Sequence, residues 1–577
     1  MARTEEAQVT SGTTDPVPAD CQGQNVFTLD PDFAALAHLY LDEAEQAHFL
    51  PRFEQLGAIA GGELDALART ADRHPPVLQR RTPQGRDEDR IEYHPAFRAM
   101  EKIAYERFGL HAASHRGGVL DWPGPLSPVA KYALTYLFVQ GEFGLMCPAS
   151  LCDTSAFMVD RFAPPAVRER YLPRMLAERC DDLWTGTQWM TERGWGSDVS
   201  GIEVAARPDP GAPGQWRIEG DKWFCSSTDA DIILLLARSG APEEGNRGLS
   251  LFLVPRRLED GRRNRYAIVR LKDKLGTRSM ATGEVRFEGA VGYLLGEEGR
   301  GLRHVMDQVT LSRLSHGVRA AAMMRRCLNE ARVAADGRIA FGRSLTEQPL
   351  MRRQLDKMAL RTEQALSAWL FTAQTMAAAE AGDEAAAARL RLLTPLIKFR
   401  ACRDNIPVAT AAMEVRGGNG FIEDWATARL VRDAHTGVLW EGTSSIVAID
   451  VLRRAVAGQR THEALGEELA RLLDQAAGAE TAPDPTLRQA LADGLADTLA
   501  FADRVVAAPD GEALAREVAG ALYHATTAIV MAWESAMTAD LDVGARRRRL
   551  AADVLRHRLR PLLARVSLEL PPQAFSS

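Results

Sequence analysis

The chain has 577 residues, of which 46% are hydrophobic and 25% are charged, and its formal net charge is −7. A chain of this length exceeds what one hydrophobic core organises, so we expect several domains. The negative net charge excludes a general attraction to nucleic acid, although a local basic face would still bind it. No uninterrupted apolar run of about 18 residues occurs, which predicts no membrane span.

Seven cysteines are dispersed along the chain without the spacing of metal ligands. An odd, scattered set in a large chain is typical of free thiols in a reducing compartment, so we expect a cytoplasmic protein with no metal site. Residues 1–28 are polar and lack the apolar core of a signal peptide, which predicts a disordered tail.

From residue 29 to residue 182, apolar residues mostly recur at helical spacing, which predicts an N-terminal helical domain. Over residues 183–296 the pattern changes to short β-rich runs between turn signals, which predicts an antiparallel β-barrel or sandwich. These runs are Trp216–Glu219, Lys222–Ser226, Ile232–Arg238, Leu249–Val254, Tyr266–Leu271 and Glu284–Phe287. Residues 297–456 suit a four-helix bundle, and residues 457–577 an additional helical domain. The expected fold class is therefore α+β with several domains.

Two segments of the third region, Arg416–Phe421 and Leu439–Ser445, combine glycines with polar residues. Adjacent glycines let a backbone approach a ligand closely because they carry no Cβ. In the second segment Glu441 precedes Gly442 and a helical pattern over residues 446–456. A lone glutamate there is more typical of a negative charge at a helix N-terminus. The upstream glycines are what favour a catalytic carboxylate.

Four further segments accompany this pair, and together they resemble the acyl-CoA dehydrogenase family of flavoproteins over residues 27–454. The segments are Trp189–Val199, Asp221–Ser226, Lys272–Glu284 and Gly337–Gln348. The resemblance implies an FAD-dependent dehydrogenase in which Glu441 removes the α-proton of an acyl-CoA thioester and flavin N5 accepts the β-hydride. It also implies that Arg313, Trp440 and Gly442 lie near the substrate.

The chemistry of such a base sets two physical requirements, because the α-proton of a thioester is too weakly acidic for a carboxylate in water. Fixed hydrogen-bond donors must polarise the thioester carbonyl as the enolate forms. The carboxylate must also be desolvated so that its affinity for a proton rises. A bulky Trp440 beside Glu441 would help to exclude water.

The resemblance further implies which residues contact FAD within one subunit. They are Met190, Thr191, Gly196, Ser197, Trp223, Cys225, Thr443 and Ser445. From the residues alone, two other interpretations stay open. The segment from residue 189 to residue 199 also fits a surface turn between domains, and residues 221–226 fit a strand with an apolar inward face.

Six further positions match residues that contact the FAD of a neighbouring subunit: Arg338, Phe341, Gln348, Glu414, Gly417 and Gly418. The fork of a guanidinium group suits a diphosphate, which is the role implied for Arg338. The resemblance therefore implies a site that spans a subunit interface, in a homotetramer built as a dimer of dimers. An ordinary basic loop between helices is the alternative for Arg338.

The stretches Tyr93–Phe97 and Glu347–Arg352 resemble the adaptive-response branch of the family, typified by AidB. Two functions stay open. One is an acyl-CoA dehydrogenase for an unidentified acyl chain, with electron-transferring flavoprotein or oxygen as acceptor. The other is a DNA-associated flavoprotein of the alkylation-damage response with weak dehydrogenase activity. The arginines clustered from Arg546 to Arg565 favour DNA if they bind phosphates, or they pair with neighbouring acidic residues.

Overall fold

The three-dimensional structure is a computed structural model that describes residues 17–569. Residues 1–16 of the expected tail lie outside this range, but the expectation is wrong for residues 17–28. Cys21 and Val26 are fully buried, and Asp20 forms an ion pair with Arg69 at 2.7 Å. Residues 17–28 therefore pack onto the N-terminal domain.

The N-terminal domain is mainly helical, as predicted, and it includes a β-hairpin that the helical pattern did not predict. Its elements are α1 (Pro31–Tyr40), α2 (Glu43–Gly61), α3 (Glu63–Arg73), β1 (Val77–Arg81), β2 (Asp87–Glu92), α4 (Pro95–Glu101), α5 (Pro128–Gly141), α6 (Met146–Phe162) and α7 (Pro165–Met175). Asp42 and Glu45 form a capping box at the start of α2, which satisfies backbone N–H groups that the helix itself leaves unpaired.

The middle domain is a β-structure, as predicted. Its strands are β3 (Gly186–Trp189), β4 (Ala205–Pro208), β5 (Trp216–Ser226), β6 (Ile232–Arg238), β7 (Leu249–Pro255), β8 (Tyr266–Leu271) and β9 (Thr282–Leu295). The two predicted runs at Trp216–Glu219 and Lys222–Ser226 belong to the single strand β5. Gly220 sits between them with φ +125°, a conformation open to glycine, so the strand continues through the expected turn.

The seven strands form a sheet in the order β3-β6-β4-β5-β9-β7, and an added β6–β7 pairing closes it into a barrel. Strand β8 pairs with β9 outside this path. The pairings of β6 with β3 and β4 are parallel, and the others are antiparallel. Closure leaves few free strand edges, and it fixes the ends of β3 and β5 next to each other.

Three long helices dominate the next region and pack along one another as a bundle with shorter helices. The elements are α8 (Gly301–Gly337), β10 (Ile339–Ala340), β11 (Arg343–Ser344), α9 (Pro349–Glu380), α10 (Glu384–Arg416), α11 (Gly418–Phe421), α12 (Ala426–Ala434) and α13 (Ser444–Asp450). Helix α13 continues as a π-helical segment, Val451–Gly458. π-Helical turns within helices are frequent at functional sites.

The last helices extend the bundle. They are α14 (Thr461–Ala477), α15 (Pro485–Ala507), α16 (Ala515–Met537), α17 (Leu541–Val554) and α18 (Arg560–Glu569). One hydrophobic core runs without a break from Phe33 in α1 through Trp369 in α9 to Ile529 in α16. The C-terminal helices are therefore part of the helical body. Within residues 17–569, no helix has the length and apolarity that a membrane span needs.

Arginines of the C-terminal cluster fasten these helices to the rest of the molecule. Arg546 pairs with Asp32 at 3.0 Å, Arg547 with Glu363 at 3.1 Å, and Arg558 with Asp404 at 3.0 Å. Arg547 is fully buried and also faces Glu534 at 3.6 Å. Of the two interpretations of this cluster, pairing with acidic residues is the one these contacts favour.

Replacing Arg547 with Met should destabilise the protein strongly. Glu363 keeps its ion pair with Arg325, but Glu534 loses the arginine that faces it, and an uncompensated buried charge costs about 3–5 kcal/mol. We expect a lower thermal midpoint and faster proteolysis of the C-terminal helices. Arg549→Met, at an exposed position of the same helix, is the matched control. Equal stability of the two variants would contradict the anchoring role.

Candidate active site

The backbone at Glu441 adopts a conformation that is rare for any residue except glycine. Its φ is +55°, and Gly442 follows with φ +91°. A non-glycine residue in the left-handed region costs about 1–3 kcal/mol and persists only where its surroundings impose it. Directly after this turn Thr443 occupies the N-cap position of helix α13, without a side-chain capping hydrogen bond. The glutamate therefore projects from a strained turn at the start of a helix.

A buried lysine holds this turn. Lys398 of α10 is 1% exposed, and its ammonium group donates a hydrogen bond to the Gly442 carbonyl. Burial lowers the pKa of Lys398 to about 8, an effect that the nearby Glu441 opposes. A charged donor to a carbonyl makes a stronger hydrogen bond than a neutral one. The hydrogen bond from Lys398 therefore stabilises the Glu441–Gly442 turn.

Helix α8 contributes two basic residues on the side of Trp440. The His316 and Trp440 rings meet edge to face, with centroids 5.9 Å apart. Arg319, one turn further, donates to the His316 ring at 2.8 Å and 3.1 Å from its two nitrogens. Both side chains are buried. Burial lowers the pKa of His316 well below its usual value, and the neighbouring Arg319 adds to this effect, so Arg319 is the cation of the two.

Arg313, implied to lie near the substrate, is engaged in an ion pair within the protein. Its guanidinium lies 2.5 Å from Asp450, which also binds Arg391 at 2.8 Å. Arg313 is 6% exposed. This contact ties α8 to α13 and so fixes the helix that follows the Glu441 turn. A positioning role fits these contacts better than a direct contact with substrate.

The loop between β8 and β9 is locked against the helices. Asp433 accepts a hydrogen bond from the Thr277 backbone N–H at 2.6 Å, and Glu142 accepts one from the Ser279 hydroxyl at 2.9 Å. Burial raises the pKa of Asp433 to about 7 and lowers the pKa of Lys274, in the same loop, to about 8. Thr277 has a φ of +51°. These bonds hold the loop on the Arg429–Ala434 segment.

The loop that follows β3 is tied to strand β5 through a buried ion pair. Lys222 lies 2.7 Å from Glu192, and it donates to the Met190 carbonyl at 3.1 Å. The backbone N–H of Trp223 donates to the Thr191 carbonyl at 3.0 Å. The acidic residue of the loop motif is therefore structural. The loop that this ion pair fixes has Gly196 and Ser197 exposed at its surface.

One expected flavin contact needs correction. Cys225 is fully buried within the core of the barrel, so its thiol does not face a ligand. Its neighbour Phe224 is 55% exposed instead. Trp223 is half-buried, with the Lys272 ammonium 3.2 Å from its ring centroid. A register shift between Lys222 and Cys225 separates this strand from simple alternation.

A second group of predicted residues meets elsewhere on the molecule. A cavity of about 240 Å³ is lined by Arg338, Gly418 and Asn419, and none of its lining residues belongs to the Glu441 turn. Gly417 adjoins it with φ +72°, and a Cβ there would lie 3.2 Å from Arg338 Nη1. Glu414, at the end of α10, is exposed. The predicted residues thus form two separate clusters.

The hairpin beside this cavity carries Phe341 at its tip. Phe341 is 97% exposed and has a φ of +55°. Gln348 donates from Nε2 to the Ala340 carbonyl at 3.2 Å, which steadies the hairpin. A large aromatic ring held fully in solvent on a fixed hairpin is typical of a binding or assembly surface.

The predicted residues provide the space, the guanidinium group and the hydrogen-bond donors that a dinucleotide such as FAD requires. Gly417 leaves space that a Cβ would fill beside a guanidinium group, and an arginine fork binds phosphate oxygens well. The exposed Gly196 and Ser197, together with the exposed Thr443 and Ser445, supply small side chains and donors for a close approach. The residues present therefore fit the cofactor.

Three residues near the Glu441 turn were not predicted from the sequence: His316, Arg319 and Lys398. The signal was available, because Lys398 and Arg319 each interrupt an apolar run inside a long helix. A charged residue at such a position is almost never buried unless a partner holds it.

Comparison with known families matches all three parts of the core. Residues 299–456 match "Acyl-CoA dehydrogenase, C-terminal domain", residues 187–290 match "Acyl-CoA dehydrogenase, middle domain", and residues 17–182 match "Adaptive response protein AidB N-terminal domain". Acyl-CoA dehydrogenase family member 11 of Caenorhabditis elegans is 30% identical over 460 residues, which span 78% of this chain and 73% of that protein. AidB of Escherichia coli (strain K12) is 36% identical over 416 residues, spanning 69% of this chain and 72% of AidB.

Solved structures agree. The Caenorhabditis elegans protein ACDH-11 in complex with C11-CoA aligns with a TM-score of 0.86 at 25% identity, over 98% of each chain. The apo-form of Bd2924 aligns with a TM-score of 0.80 at 30% identity, over 90% of this chain and 99% of that one. The fold and the matched domains define a flavin-dependent oxidoreductase. The chain belongs to the acyl-CoA dehydrogenase family, which uses FAD and acts on CH–CH groups.

Replacing Lys398 with Met should loosen the Glu441 turn. The Gly442 carbonyl loses a charged donor, and leaving such a group unpaired costs about 1–3 kcal/mol. We expect amide hydrogen exchange over residues 439–446 to accelerate by about 10-fold or more, while α10 stays protected. Lys398→Gln keeps a donor and should lie between wild type and Met. Unchanged exchange in the Met variant would show that other contacts impose the turn.

Proposed function

We propose that the protein is an acyl-CoA dehydrogenase in which Glu441 removes the α-proton of the thioester. The observation that carries this proposal is the left-handed Glu441–Gly442 turn, held by Lys398 at the start of α13. A strained conformation kept at the cost of stability is frequent where a side chain must be aimed at a ligand. Bound FAD would supply the acceptor for the β-hydride.

The residues around Glu441 suit the charge that this reaction develops. As the proton reaches the carboxylate, negative charge moves to the thioester oxygen, and preorganised positive groups stabilise it. Lys398 is buried near Glu441 and is fixed by its hydrogen bond to the Gly442 carbonyl. The backbone N–H of Glu441 donates to no residue between 17 and 569, so it is open to a thioester carbonyl.

For the cofactor, we propose contacts at Met190, Thr191, Gly196 and Ser197 of the loop after β3, and at Thr443 and Ser445 after the base. On strand β5 we propose that Trp223 and the exposed Phe224 contact the cofactor, and that the buried Cys225 does not. Trp440 and Gly442 border the reacting atoms. These residues would hold the cofactor between the barrel and the bundle.

We also propose that the protein assembles into a homotetramer in which Arg338, Gly417 and Gly418 of one subunit bind the FAD of its neighbour. Phe341, Gln348 and Glu414 accompany them. The support is the apolar surface near Arg338. Its exposed residues are Ile339 at 68%, Phe341 at 97%, Leu350 at 71% and Phe421 at 78%. Such apolar surface is typical of an interface between subunits.

The proposed acceptor of electrons is electron-transferring flavoprotein or oxygen, and the proposed location is the cytoplasm. All seven cysteines are free thiols, which supports a reducing compartment. Association with DNA forms no part of the proposal, because Arg546, Arg547 and Arg558 are already paired with carboxylates of the same chain.

Replacing Glu441 with Gln should keep FAD bound and stop its reduction. The amide retains the size of the side chain and cannot accept a proton from carbon. We expect flavin reduction by a cognate acyl-CoA, followed anaerobically in a stopped-flow instrument, to slow by about 1,000-fold or more. The flavin content and thermal midpoint serve as controls for folding. Full reduction at the wild-type rate would identify another residue as the base.

Replacing Arg338 with Ala should weaken the retention of FAD. A diphosphate loses a bidentate partner worth about 1.5–3 kcal/mol. We expect the fraction of FAD that remains bound after dilution and desalting to fall. The nearby Arg343→Ala, also exposed, is the matched control. Light scattering on the same samples distinguishes loss of cofactor from loss of assembly. Wild-type retention in the Arg338 variant would remove this residue from the cofactor site.

A further inference from the structure

Among the buried arginines of the described chain, Arg319 is the exception. Six others each form an ion pair with a carboxylate: Arg313, Arg325, Arg326, Arg416, Arg429 and Arg547. Arg319 is 1% exposed and has no carboxylate within ion-pair distance in residues 17–569. An unpaired charge removed from water is strongly unfavourable, so this arrangement calls for a partner.

The groups that do touch Arg319 carry no negative charge. Its Nε donates to the Ser315 carbonyl at 3.3 Å, and Nη2 donates to the His316 ring. Arg319 Nη2 lies 2.8 Å from His316 Nδ1 and 3.1 Å from Nε2, and Nδ1 also lies 2.9 Å from the Ser312 carbonyl. The buried Nη1 atom has no hydrogen-bond partner in the described residues. The neutral Cys147 thiol also approaches the guanidinium, so the fork lacks a charged acceptor within the described chain.

Arg319 lies in the wall that surrounds the proposed base. His316 bridges it to Trp440, whose ring lies 5.9 Å from the imidazole, and Glu441 follows Trp440 directly. On the other side the Phe143 ring centroid is 5.8 Å from the guanidinium carbon. Burial lowers the pKa of Arg319, and Cys147, Cys402 and Glu441 act in the opposite direction. The guanidinium therefore interacts electrostatically with the Glu441 carboxylate.

Positive charge exceeds negative charge around Glu441. Lys398 is a buried cation near Glu441 in addition to Arg319. Glu441 itself cannot serve as the permanent partner of Arg319 if it is to take a proton from substrate. A ligand that brings its own carboxylate would neutralise this excess and would fill the free edge of the fork.

We propose that Arg319 binds a carboxylate at the distal end of the acyl chain, so that the substrates of this enzyme are ω-carboxyacyl thioesters. This inference rests on the proposed dehydrogenase function and specifies its substrate class. His316 holds the guanidinium in place, and the unused Nη1 donates to the incoming carboxylate. An unbranched acyl chain without that group leaves the charge unpaired and is the poorer substrate.

The test compares thioesters that differ only in the terminal group: adipyl-CoA with hexanoyl-CoA, and suberyl-CoA with octanoyl-CoA. On the FAD-loaded wild-type protein we expect at least one ω-carboxy thioester to reduce the flavin with a higher kcat/KM than its partner. Arg319→Met should lower that preference by about 100-fold. Arg319→Lys, which keeps the charge without the fork, should retain part of it. Arg549→Met is the control for a lost surface charge.

Binding supplies a second readout that does not need turnover. In titration calorimetry, FAD-loaded Glu441→Gln should bind adipyl-CoA more tightly than hexanoyl-CoA. Adding Arg319→Met to this variant should weaken the binding of adipyl-CoA. Equal preference for both thioesters in wild type, unchanged by Arg319→Met, would overturn the carboxylate site and leave the dehydrogenase intact. Binding of adipyl-CoA that depends on Arg319, without flavin reduction in wild type, would support the site and refute the dehydrogenase.

Discussion

The contact between the Lys398 ammonium and the Gly442 carbonyl is the interaction on which the account of this molecule depends. It fixes a turn in which Glu441 adopts a left-handed backbone, a conformation that local sequence disfavours. Helix α10 delivers the lysine and α13 begins at the turn, so the packing of the bundle decides where the carboxylate points. The Arg313–Asp450 ion pair likewise fixes α13, two helical turns further along the chain.

The same use of buried charge recurs throughout the helical body. Asp404 is held by arginines from α9, α10 and the C-terminal helices, and Glu363 joins Arg325 to Arg547. Such pairs add little net stability when intact, but breaking one is costly. They therefore specify a single arrangement of helices around the site. This rigidity suits a base that must keep its position relative to a bound ring.

The sequence predicted the order of the domains because helical and strand periodicities differ strongly between them. It also predicted the Glu441 and Arg338 clusters, since their glycines mark close approaches that Gly417 illustrates. It failed at Cys225, where a register shift in β5 changes which side chains face outward. It failed at residues 17–28, whose polar composition hides two buried anchors. Lys398 was missed because its partner, the Gly442 carbonyl, is 44 residues away in the sequence. Arg319 was missed because its burial without a carboxylate partner among the described residues follows from tertiary packing.

Anaerobic titration of the FAD-loaded wild-type protein with a panel of acyl-CoA thioesters tests the central claim most directly. The panel should include straight-chain and ω-carboxylated thioesters, and the visible absorbance of the flavin reports its reduction. The account predicts that at least one thioester bleaches the flavin, because a carboxylate aimed from a fixed turn can take the α-proton. Flavin that stays fully oxidised across the whole panel would contradict it.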